Sequence, residues 1–341
     1  MGAKVLGIEF APLNIPLERR LQTLAVIYYV AMFFIFPPML VWLPIYVLLY
    51  TRFWWLVMLY GAWFWYDYAT PKTGARPSHL FRNAKVWHYL RDYFPITLEK
   101  SADLDPKKNY ILGYHPHGMT SVGAFTNFTT EATGFRVMFP GMTSHLITLV
   151  GQFWFPLRRE YAIWLGCCES SKESIAHLLN QPTKGHAVVI VVGGASEALD
   201  ANPGHYDILM SRRKGFIKMA IKYGADLVPV FSFGENDLFQ QVETQQGSIA
   251  RKIQDKMKIF FGIPPILFHG RGIFNYTWGI LPYRKPIHTI VGKPIEVKMN
   301  LNPTQEEIDQ LHQNYIEGLR EIFDANKERY GVDKKVQLHI Y

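Results

Sequence analysis

Hydrophobic residues are concentrated near the N-terminus of the chain. Residues 21–51 contain no charged side chain, and residues 53–66 contain none either, so only Arg52 separates two apolar runs. The first run exceeds the roughly 20 residues that a membrane-spanning helix needs. Its Pro37-Pro38 pair predicts either a kinked span or a hairpin that re-enters the bilayer. The second run is short and rich in tryptophan, which favours an interfacial segment or the second arm of a hairpin.

Basic residues lie on both sides of these runs, which predicts a hairpin with both ends in the cytosol. We therefore divide the chain into a cytosolic N-terminal segment (1–20), a membrane-embedded helical hairpin or two spans (21–66), and a cytosol-facing domain (67–341). A pair of buried core helices is the alternative interpretation of the apolar runs. A cleaved signal peptide does not fit, because the first run is too long and no short basic segment precedes it.

The rest of the chain alternates between short apolar strands and amphipathic helices. The pattern predicts strands at 110–114, 187–192, 227–233 and 288–292, and helices at 171–180 and 213–224. Pro229 within the third run predicts an edge strand or a bulge. A last helix begins after Thr304, because Thr304 and Glu307 have the spacing of a capping box. This alternation indicates an α/β domain in which helices flank a mixed sheet.

The composition limits the partners and the compartment. The formal net charge is +8 and 49% of the residues are hydrophobic, so we expect a sizeable core. A basic balance favours anionic partners such as phospholipid headgroups, a phosphorylated cofactor or nucleic acid. The two cysteines, Cys167 and Cys168, are adjacent, so no disulfide framework is expected and a reducing, cytosol-facing location is the simplest interpretation. No zinc-type spacing of cysteine and histidine occurs.

The strand predicted at 110–114 ends directly in His115-Pro116-His117-Gly118. Strand ends are where α/β folds place reactive groups, and histidine is the side chain best able to take and return a proton near neutral pH. Proline restricts the backbone between the two imidazoles, and Gly118 leaves room for a substrate. The alternative is that one or both histidines cap the strand or lie in a polar pocket.

A similar arrangement follows the strand at 187–192, where Gly193, Gly194 and Glu197 come next. The glycines allow a tight turn whose backbone N–H groups face an anion or oxyanion. Glu197 is a candidate to orient a catalytic histidine, because a carboxylate selects the tautomer and stabilises the imidazolium. A helix N-terminal carboxylate stabilised by the helix dipole is the alternative.

Basic residues form two further candidate sites. Arg212, Arg213 and Lys214 are consecutive, with Lys218 one helical turn on, and such a group suits phosphates. A solvated surface cluster is the alternative. Arg271 stands between two glycines that free the backbone, so its guanidinium can reach an anion.

Histidine, carboxylate, glycine-rich turns and basic residues together, without a metal, indicate acyl transfer. A histidine base takes the proton of an acceptor hydroxyl, which attacks an activated acyl carbonyl, and N–H donors stabilise the oxyanion. A thioester donor that carries phosphates explains the basic clusters. Gly234-Glu235-Asn236, at the end of another predicted strand, adds a polar wall to the cleft.

Five blocks of the sequence resemble those of the acyl-CoA-dependent monoacylglycerol and diacylglycerol acyltransferase family. They lie at residues 115–118, 192–199, 213–218, 227–236 and 268–272. The resemblance covers nearly the whole chain, and the stretches at 10–13 and 18–26 are most similar to the monoacylglycerol branch.

The resemblance implies a glycerolipid-acyltransferase-like fold and an integral enzyme of the endoplasmic reticulum membrane, with the bulk facing the cytosol. Lipid droplets and the perinuclear region are further locations. The implied reaction moves a fatty acyl group from acyl-CoA, a co-substrate, to 2-monoacylglycerol without any cofactor. The lipid bilayer is an expected partner, nucleic acid is not, and homo-oligomerisation stays open.

The family regards the His-Pro-His-Gly block as its catalytic core, so His117 is the implied general base, and His115 is the second choice or a structural partner. Wider glycerolipid acyltransferases place an aspartate shortly after the histidine, and this chain has none there, so Glu197 is the candidate replacement. Backbone donors come from Gly118, Gly193 and Gly194. The CoA phosphates are expected to meet Arg212, Arg213, Lys214, Lys218 and Arg271.

Other functions stay open. The acceptor is alternatively diacylglycerol or a long-chain alcohol. A lipid hydrolase lacks a nucleophile elbow here. A metal enzyme would use His115 and His117 as ligands, although no third ligand stands out. A non-enzymatic membrane or lipid-droplet scaffold would leave the two histidines without a role.

Overall fold

The computed structural model of the protein describes residues 4–5, 7–12, 14–242, 244, 247–261 and 265–341. Parts of the predicted N-terminal segment, residues 1–3, 6 and 13, lie outside the described residues. The strands are Lys4–Val5 (β1), Ile8–Glu9 (β2), Ile96–Lys100 (β3), Tyr110–His115 (β4), Thr143–Thr148 (β5), Cys168–Glu169 (β6), His186–Val191 (β7), Asp207–Ile208 (β8), Asp226–Phe233 (β9), Gln240–Gln241 (β10), Phe268–His269 (β11), Ile287–Val291 (β12) and His339–Ile340 (β13). The α-helices are Leu17–Val30 (α1), Phe36–Tyr50 (α2), Trp54–Tyr66 (α3), His79–Arg82 (α4), Lys85–Tyr93 (α5), Val122–Thr129 (α6), Phe135–Met138 (α7), Arg158–Trp164 (α8), Lys172–Leu179 (α9), Gly194–Ala198 (α10), Gly215–Tyr223 (α11), Ile249–Phe261 (α12) and Gln305–Asn326 (α13).

A mixed sheet forms the centre of the domain. Within the described residues, seven strands pair in the order β3-β12-β9-β4-β7-β5-β6. The strands from β9 to β6 are parallel to each other. Strands β12 and β3 run the other way, because β12 pairs antiparallel with β9 and parallel with β3. The predicted mixed sheet is therefore confirmed, and β4 lies near its middle, between β9 and β7.

Helices cover both faces of the sheet. Alternate side chains of a strand point to opposite faces, and on β4 Leu112 enters one core cluster while Ile111 enters the other. Helices α1, α5 and α6 pack on the first face, and α9, α11 and α13 pack on the second. Every residue of β4 and β9 is buried, as expected for strands covered on both sides.

The predicted elements are confirmed, and three strands of the central sheet were missed. The predicted strands correspond to β4, β7, β9 and β12, and the predicted helices to α9, α11 and α13. Thr304 accepts a hydrogen bond from the N–H of Glu307, whose side chain accepts one from the N–H of Thr304. The pattern did not identify β3, β5 or β6. In β5, the polar Ser144 and His145 occupy buried positions, which removes the apolar alternation on which strand prediction rests.

Pro229 lies inside the sheet, so its prediction as an edge marker is wrong. The bulge alternative fits, because between the pairs Val230–Val291 and Leu227–Ile295 the facing segment has one residue more than β9. Strand β9, which contains Pro229, has β4 on one side and β12 on the other. The N–H of Leu227 donates to Ile295, and the nitrogen of Pro229 faces the same side because N–H directions alternate along a strand. There β12 has already ended at Val291, so no ladder hydrogen bond is lost.

A long apolar helix precedes the domain. Leu17–Tyr50 is a helix of 34 residues and contains a stretch long and apolar enough to cross a membrane, by length and composition alone. Its Ala31–Ile35 segment is π-helical, and Pro37-Pro38 follow inside α2, so the helix continues through the prolines. Helix α3 begins after a short turn at 51–53 and packs against α2.

The two halves of this long helix have different surroundings. In the first half, Ala25, Val26 and Tyr29 are buried in the domain core, and α1 packs on α5. The second half exposes large apolar side chains, beginning at Phe34 and including Trp42, which is 69% exposed. The helix therefore anchors the apolar extension to the first face of the sheet.

Candidate active site

Three neighbouring parallel strands end at one edge of the sheet and carry the candidate chemistry. Strand β4 ends at His115 and leads to His117, β7 leads to Glu197, and β9 leads to Glu235. Because β9, β4 and β7 are adjacent and parallel, their carboxyl ends lie side by side. The His117 loop and the Glu197 side chain, 80 residues apart in the sequence, thus meet at this edge.

His117 is the histidine that faces outward. Its side chain is partly exposed, and its Nδ1 lies 2.8 Å from the carbonyl oxygen of Gly118. A carbonyl oxygen only accepts hydrogen bonds, so Nδ1 carries the proton and Nε2 keeps a free lone pair. Burial lowers the pKa of His117 below its ordinary value, although the bond to Gly118 opposes this. The ring is therefore neutral at neutral pH, as a general base must be.

His115 has the opposite environment. Its side chain is fully buried, and its Nε2 lies 3.1 Å from the hydroxyl of Tyr315. That hydroxyl donates its proton to the carbonyl of Gly113, so Nε2 of His115 is the donor and Nδ1 holds the lone pair. Nδ1 has no hydrogen-bond partner within the described residues. Burial lowers the pKa of His115 to about 3, so it stays neutral, and its contacts suit a structural partner better than a base.

Glu197 does reach the histidine segment, but through the main chain. Its Oε1 accepts from the backbone N–H of His117 at 2.5 Å, and its Oε2 accepts from the N–H of Leu209 at 3.0 Å. The expected contact between this carboxylate and an imidazole ring is absent from the described hydrogen bonds, in which both oxygens accept from backbone amides. Burial raises the pKa of Glu197 to about 7. Glu197 therefore positions the backbone of His117.

Glu235 is a second buried carboxyl at the same edge, which the sequence indicated only as a polar wall. Its Oε2 accepts from the hydroxyl of Tyr114 at 2.8 Å and from the N–H of Gly123 at 3.0 Å. Its Oε1 has no hydrogen-bond partner within the described part of the chain. Burial raises the pKa of Glu235 to about 7. The side chain thus joins β4, β9 and the start of α6.

Two glycines make room for these carboxyls. A Cβ at Gly118 would lie 2.6 Å from the Glu235 side chain, and Gly118 also has a φ of +61°. A Cβ at Gly193 would lie 2.1 Å from a carboxylate oxygen of Glu197. Both positions therefore require glycine for close packing. The N–H groups of Gly193 and Gly194 lie at the start of α10, where helical amides have no intrahelical acceptor. Their predicted role as oxyanion donors, with Gly118, stays a prediction.

The basic run at 212–218 divides into groups with different partners. Arg213 donates to the carbonyl of Gly193 at 3.2 Å, which brings it to the site edge. Lys214 forms an ion pair with Asp309 at 2.7 Å. Arg212 and Lys218 are exposed. Binding of CoA phosphates by these four residues stays a prediction.

Arg271 lies apart from that run, on the loop after β11. Its side chain is 7% exposed, its Nε donates to the carbonyl of Gly272, and its Cζ lies 4.6 Å from the ring centroid of Tyr276. The nearby Leu281 belongs to the core on the first face, whereas α11, which carries Lys218, packs on the second. The structure therefore does not bring Arg271 into the same group as Arg213.

The apolar helix touches the histidine loop directly. The hydroxyl of Tyr29 donates to the carbonyl of Thr120 at 2.9 Å, and the Tyr29 ring packs on Phe125 of α6 at 5.1 Å. Arg158 is buried beside the π-helical segment, where it donates to the carbonyl of Met32 and stacks over Phe33 at 5.0 Å. The sequence did not indicate this link, because nothing local marks Tyr29 or Arg158.

Cys167 and Cys168 are buried and free, so the prediction of no disulfide is confirmed. Among the described residues, no three histidine, cysteine or acidic side chains come together as metal ligands would.

We expect Glu235→Gln to change how stability depends on pH. The pKa of Glu235 is 4.5 when the side chain is exposed and about 7 in the folded protein, so the folded protein holds this proton more tightly. Its contribution to stability is full below pH 4.5 and is lost as the pH rises through about 7. Glutamine does not titrate, so the variant should gain roughly 3 kcal/mol relative to the parent over this window. Denaturant unfolding at several pH values measures the difference.

The matched control for that experiment is Glu317→Gln, an exposed carboxyl on α13. The free energy of unfolding of this variant should equal that of the parent at every pH. Parallel curves for Glu235→Gln and the parent between pH 5 and pH 8 would contradict the burial of this carboxyl.

The sequence also identifies relatives. Residues 46–341 match the family model described as diacylglycerol acyltransferase. The chain belongs to the diacylglycerol acyltransferase family. This acyltransferase is 48% identical over 331 residues to 2-acylglycerol O-acyltransferase 1 of Bos taurus, covering 97% of this chain and 98% of the relative. It is 49% identical over 292 residues to diacylglycerol O-acyltransferase 2 of Danio rerio, covering 85% of this chain and 81% of the relative.

Among solved structures, the acyltransferase was compared with a 1-acyl-sn-glycerophosphate acyltransferase from Thermotoga maritima. The TM-score is 0.40 at 12% identity, with 89% of this chain and 95% of the other covered. The resemblance to the acyltransferase family stated from the sequence is thus confirmed by the family model and by the relatives, and the protein is an O-acyltransferase of acylglycerol synthesis.

Proposed function

We propose that this acyltransferase moves a fatty acyl group from acyl-CoA to 2-monoacylglycerol and releases diacylglycerol and CoA. The observation that carries the chemistry is the tautomer of His117, whose Nδ1 donates to the carbonyl of Gly118 and leaves the Nε2 lone pair to accept a proton, on a loop that Glu197 holds through the backbone N–H of His117. The acceptor is taken from the relative of Bos taurus, which is named 2-acylglycerol O-acyltransferase 1 and is covered over 98% of its length.

The proposed reaction has two steps. Nε2 of His117 takes the proton of the acceptor hydroxyl as its oxygen attacks the thioester carbonyl, and a tetrahedral oxyanion forms. Backbone N–H groups of Gly118, Gly193 or Gly194 stabilise this oxyanion. The carbon–sulfur bond then breaks, the ester is complete, and the CoA thiolate takes the proton back from His117. Glu197 keeps the loop in place through its bond to the N–H of His117.

The positive charge of the basic run supports acyl-CoA, whose phosphates are anionic, as the donor. Arg213 is held against Gly193, so positive charge lies next to the proposed oxyanion donors. Arg212 and Lys218 are exposed and available to a phosphate. Lys214 contributes less, because Asp309 already neutralises it.

We further propose that α2 and α3 anchor the enzyme in the endoplasmic reticulum membrane as a hairpin, with the domain facing the cytosol. The exposed apolar surface of α2 and the packing of α3 on α2 support a hairpin. The contact between Tyr29 and the loop after His117 supports delivery of acyl chains from the bilayer to the site. A hydrophobic acceptor would then reach His117 without crossing water.

An acceptor comparison tests the proposal. The purified full-length enzyme receives radiolabelled oleoyl-CoA with 2-monoacylglycerol, diacylglycerol or a long-chain alcohol in turn. We expect kcat/KM to be at least tenfold higher for 2-monoacylglycerol than for the other two. A wild-type preparation that uses none of the three would remove the proposed function.

Diacylglycerol as the main acceptor is the second candidate. The relative from Danio rerio is named diacylglycerol O-acyltransferase 2 and has 49% identity, close to that of the first relative. A higher kcat/KM for diacylglycerol in the same comparison would select this function instead.

A further inference from the structure

Three arginines lie together beside the start of the apolar helix. Arg271 follows β11, Arg284 lies just before β12, and Arg19 is in the first turn of α1. Burial lowers the pKa of Arg284 to about 10, and the charges of Arg19 and Arg271 act in the same direction. Within the described residues, none of the three forms an ion pair, whereas other arginines such as Arg76 and Arg91 do.

Aromatic rings and polar contacts hold two of these guanidinium groups in place. The Cζ of Arg284 lies 4.2 Å from the ring centroid of Tyr93, and its Nη1 donates to the side chain of Gln22 at 2.5 Å. Arg271 stacks over Tyr276 at 4.6 Å, and its Nε donates to a backbone carbonyl at 3.1 Å. Tyr93 is fully buried between them and interacts with both arginines. Their orientation is therefore set before any ligand arrives.

Like charges that are brought together and partly buried are unfavourable without a counter-charge. Solvent-exposed arginines can separate, but Arg271 is 7% exposed and Arg284 is held by Tyr93 and Gln22. A phosphate ester supplies both the missing negative charge and several oxygens for the planar N–H donors of arginine. We propose that Arg19, Arg271 and Arg284 form a binding site for a phosphate ester.

This site is separate from the basic run of the proposed CoA contacts. Helix α11, with Lys218, packs on the second face of the sheet, whereas Phe268 and Leu281 beside Arg271 belong to the first. The ring of Phe268 also contacts Phe34 of the apolar helix at 5.7 Å, and Phe274 is 78% exposed. The phosphate therefore comes from one of two sources: the CoA part of the donor, which rests on the proposed function, or a phospholipid headgroup of the membrane.

The test uses full-length enzyme with Arg284→Gln and with Arg19→Gln, whose exposed side chain is not needed for the core. Kinetics are measured with oleoyl-CoA and with oleoyl-3′-dephospho-CoA. Flotation is measured with phosphatidylcholine vesicles that contain or lack phosphatidic acid. Arg320→Gln, an exposed arginine of α13, is the control, and thermal unfolding verifies that each variant is folded.

We expect either KM or the binding to phosphatidic acid vesicles to change at least tenfold, as for the loss of a charge-assisted hydrogen bond. If the 3′-phosphate occupies the site, KM rises for oleoyl-CoA and not for the dephospho form. If the CoA pyrophosphate does, KM rises for both. If a headgroup does, both KM values stay unchanged and binding to phosphatidic acid vesicles falls.

Unchanged KM values together with unchanged vesicle binding in folded Arg284→Gln and Arg19→Gln would overturn the phosphate site. Failure of the proposed function has a different signature. In that case the wild type transfers no acyl group from oleoyl-CoA, and the vesicle arm alone decides on the site.

Discussion

Replacing His117 with alanine should lower kcat for diacylglycerol formation by about 10²- to 10⁴-fold, the usual contribution of a general base. The ring bonds only to the adjacent carbonyl of Gly118 among the described contacts, so its removal leaves the fold intact. In the proposed mechanism, the variant loses Nε2 as the acceptor of the hydroxyl proton. Turnover of radiolabelled oleoyl-CoA measures kcat, and thermal unfolding of the same sample verifies that the variant is folded.

The pH profile of the wild type provides a second measurement of the same role. Burial lowers the pKa of His117 below 6.5, so the neutral ring persists into mildly acidic solution. The value of kcat/KM should stay high at neutral pH and fall only as the pH drops through that lowered pKa. His117→Ala should lose this acid limb from its residual rate.

Two other histidines separate catalysis from stability. His339→Ala, at an exposed position, should leave both activity and unfolding unchanged. His115→Ala should instead reduce stability by about 1–3 kcal/mol, because the buried hydroxyl oxygen of Tyr315 keeps Gly113 as its acceptor but loses the N–H donor of His115. Near-normal turnover by folded His117→Ala would remove His117 from the mechanism and make His115 the remaining candidate.

The second large effect is expected for Glu197→Gln. The carboxylate accepts from two backbone N–H groups, those of His117 and Leu209. Glutamine has one acceptor oxygen and one NH₂ group, so one of the two amides then faces a donor. The loop carrying His117 should shift, and a displacement of about 1 Å lowers kcat by roughly 10²-fold. KM for oleoyl-CoA should change little. Among the described contacts Glu197 forms no hydrogen bond with the basic run, and only the charge of Arg213 acts on it.

The control for Glu197→Gln is Asp200→Asn, the same chemical change three residues later. Asp200 pairs with Arg251 and lies outside the histidine loop. It should keep normal kcat. If Glu197→Gln only reduces the folded fraction, then kcat per folded enzyme, from active-site titration, will equal that of the parent. That result would make Glu197 a purely structural carboxyl.

Much of the site can be predicted because its residues follow strand ends. The turn that ends each of β4, β7 and β9 is marked locally by glycine, proline or a polar residue after an apolar run. The sequence alone therefore indicates His115, His117, Gly193, Glu197 and Glu235. The sequence indicates Arg271 for a local reason as well, because a glycine stands on each side of it. Those glycines do not predict where the guanidinium group of Arg271 lies.

The roles of these residues depend on contacts between distant parts of the chain. Glu197 was expected beside an imidazole, and instead it accepts from the N–H of His117, 80 residues away. Glu235 is more than a wall residue, because it contacts Tyr114 and Gly123 across more than 110 residues. No local pattern contains such information, because it depends on the order of the strands in the sheet.

The sequence by itself determined that this protein has an apolar N-terminal helix, an α/β domain, and His-Pro-His-Gly at a strand end, because periodicity and turn chemistry are local properties. The tertiary structure alone decided which of the two histidines is partly exposed and which is fully buried. That choice follows from partners: the Gly118 carbonyl leaves Nε2 of His117 free, while Tyr315 encloses His115. Packing likewise decided that Tyr29 joins the apolar helix to the loop, since side chains on separate elements meet only when the sheet has assembled.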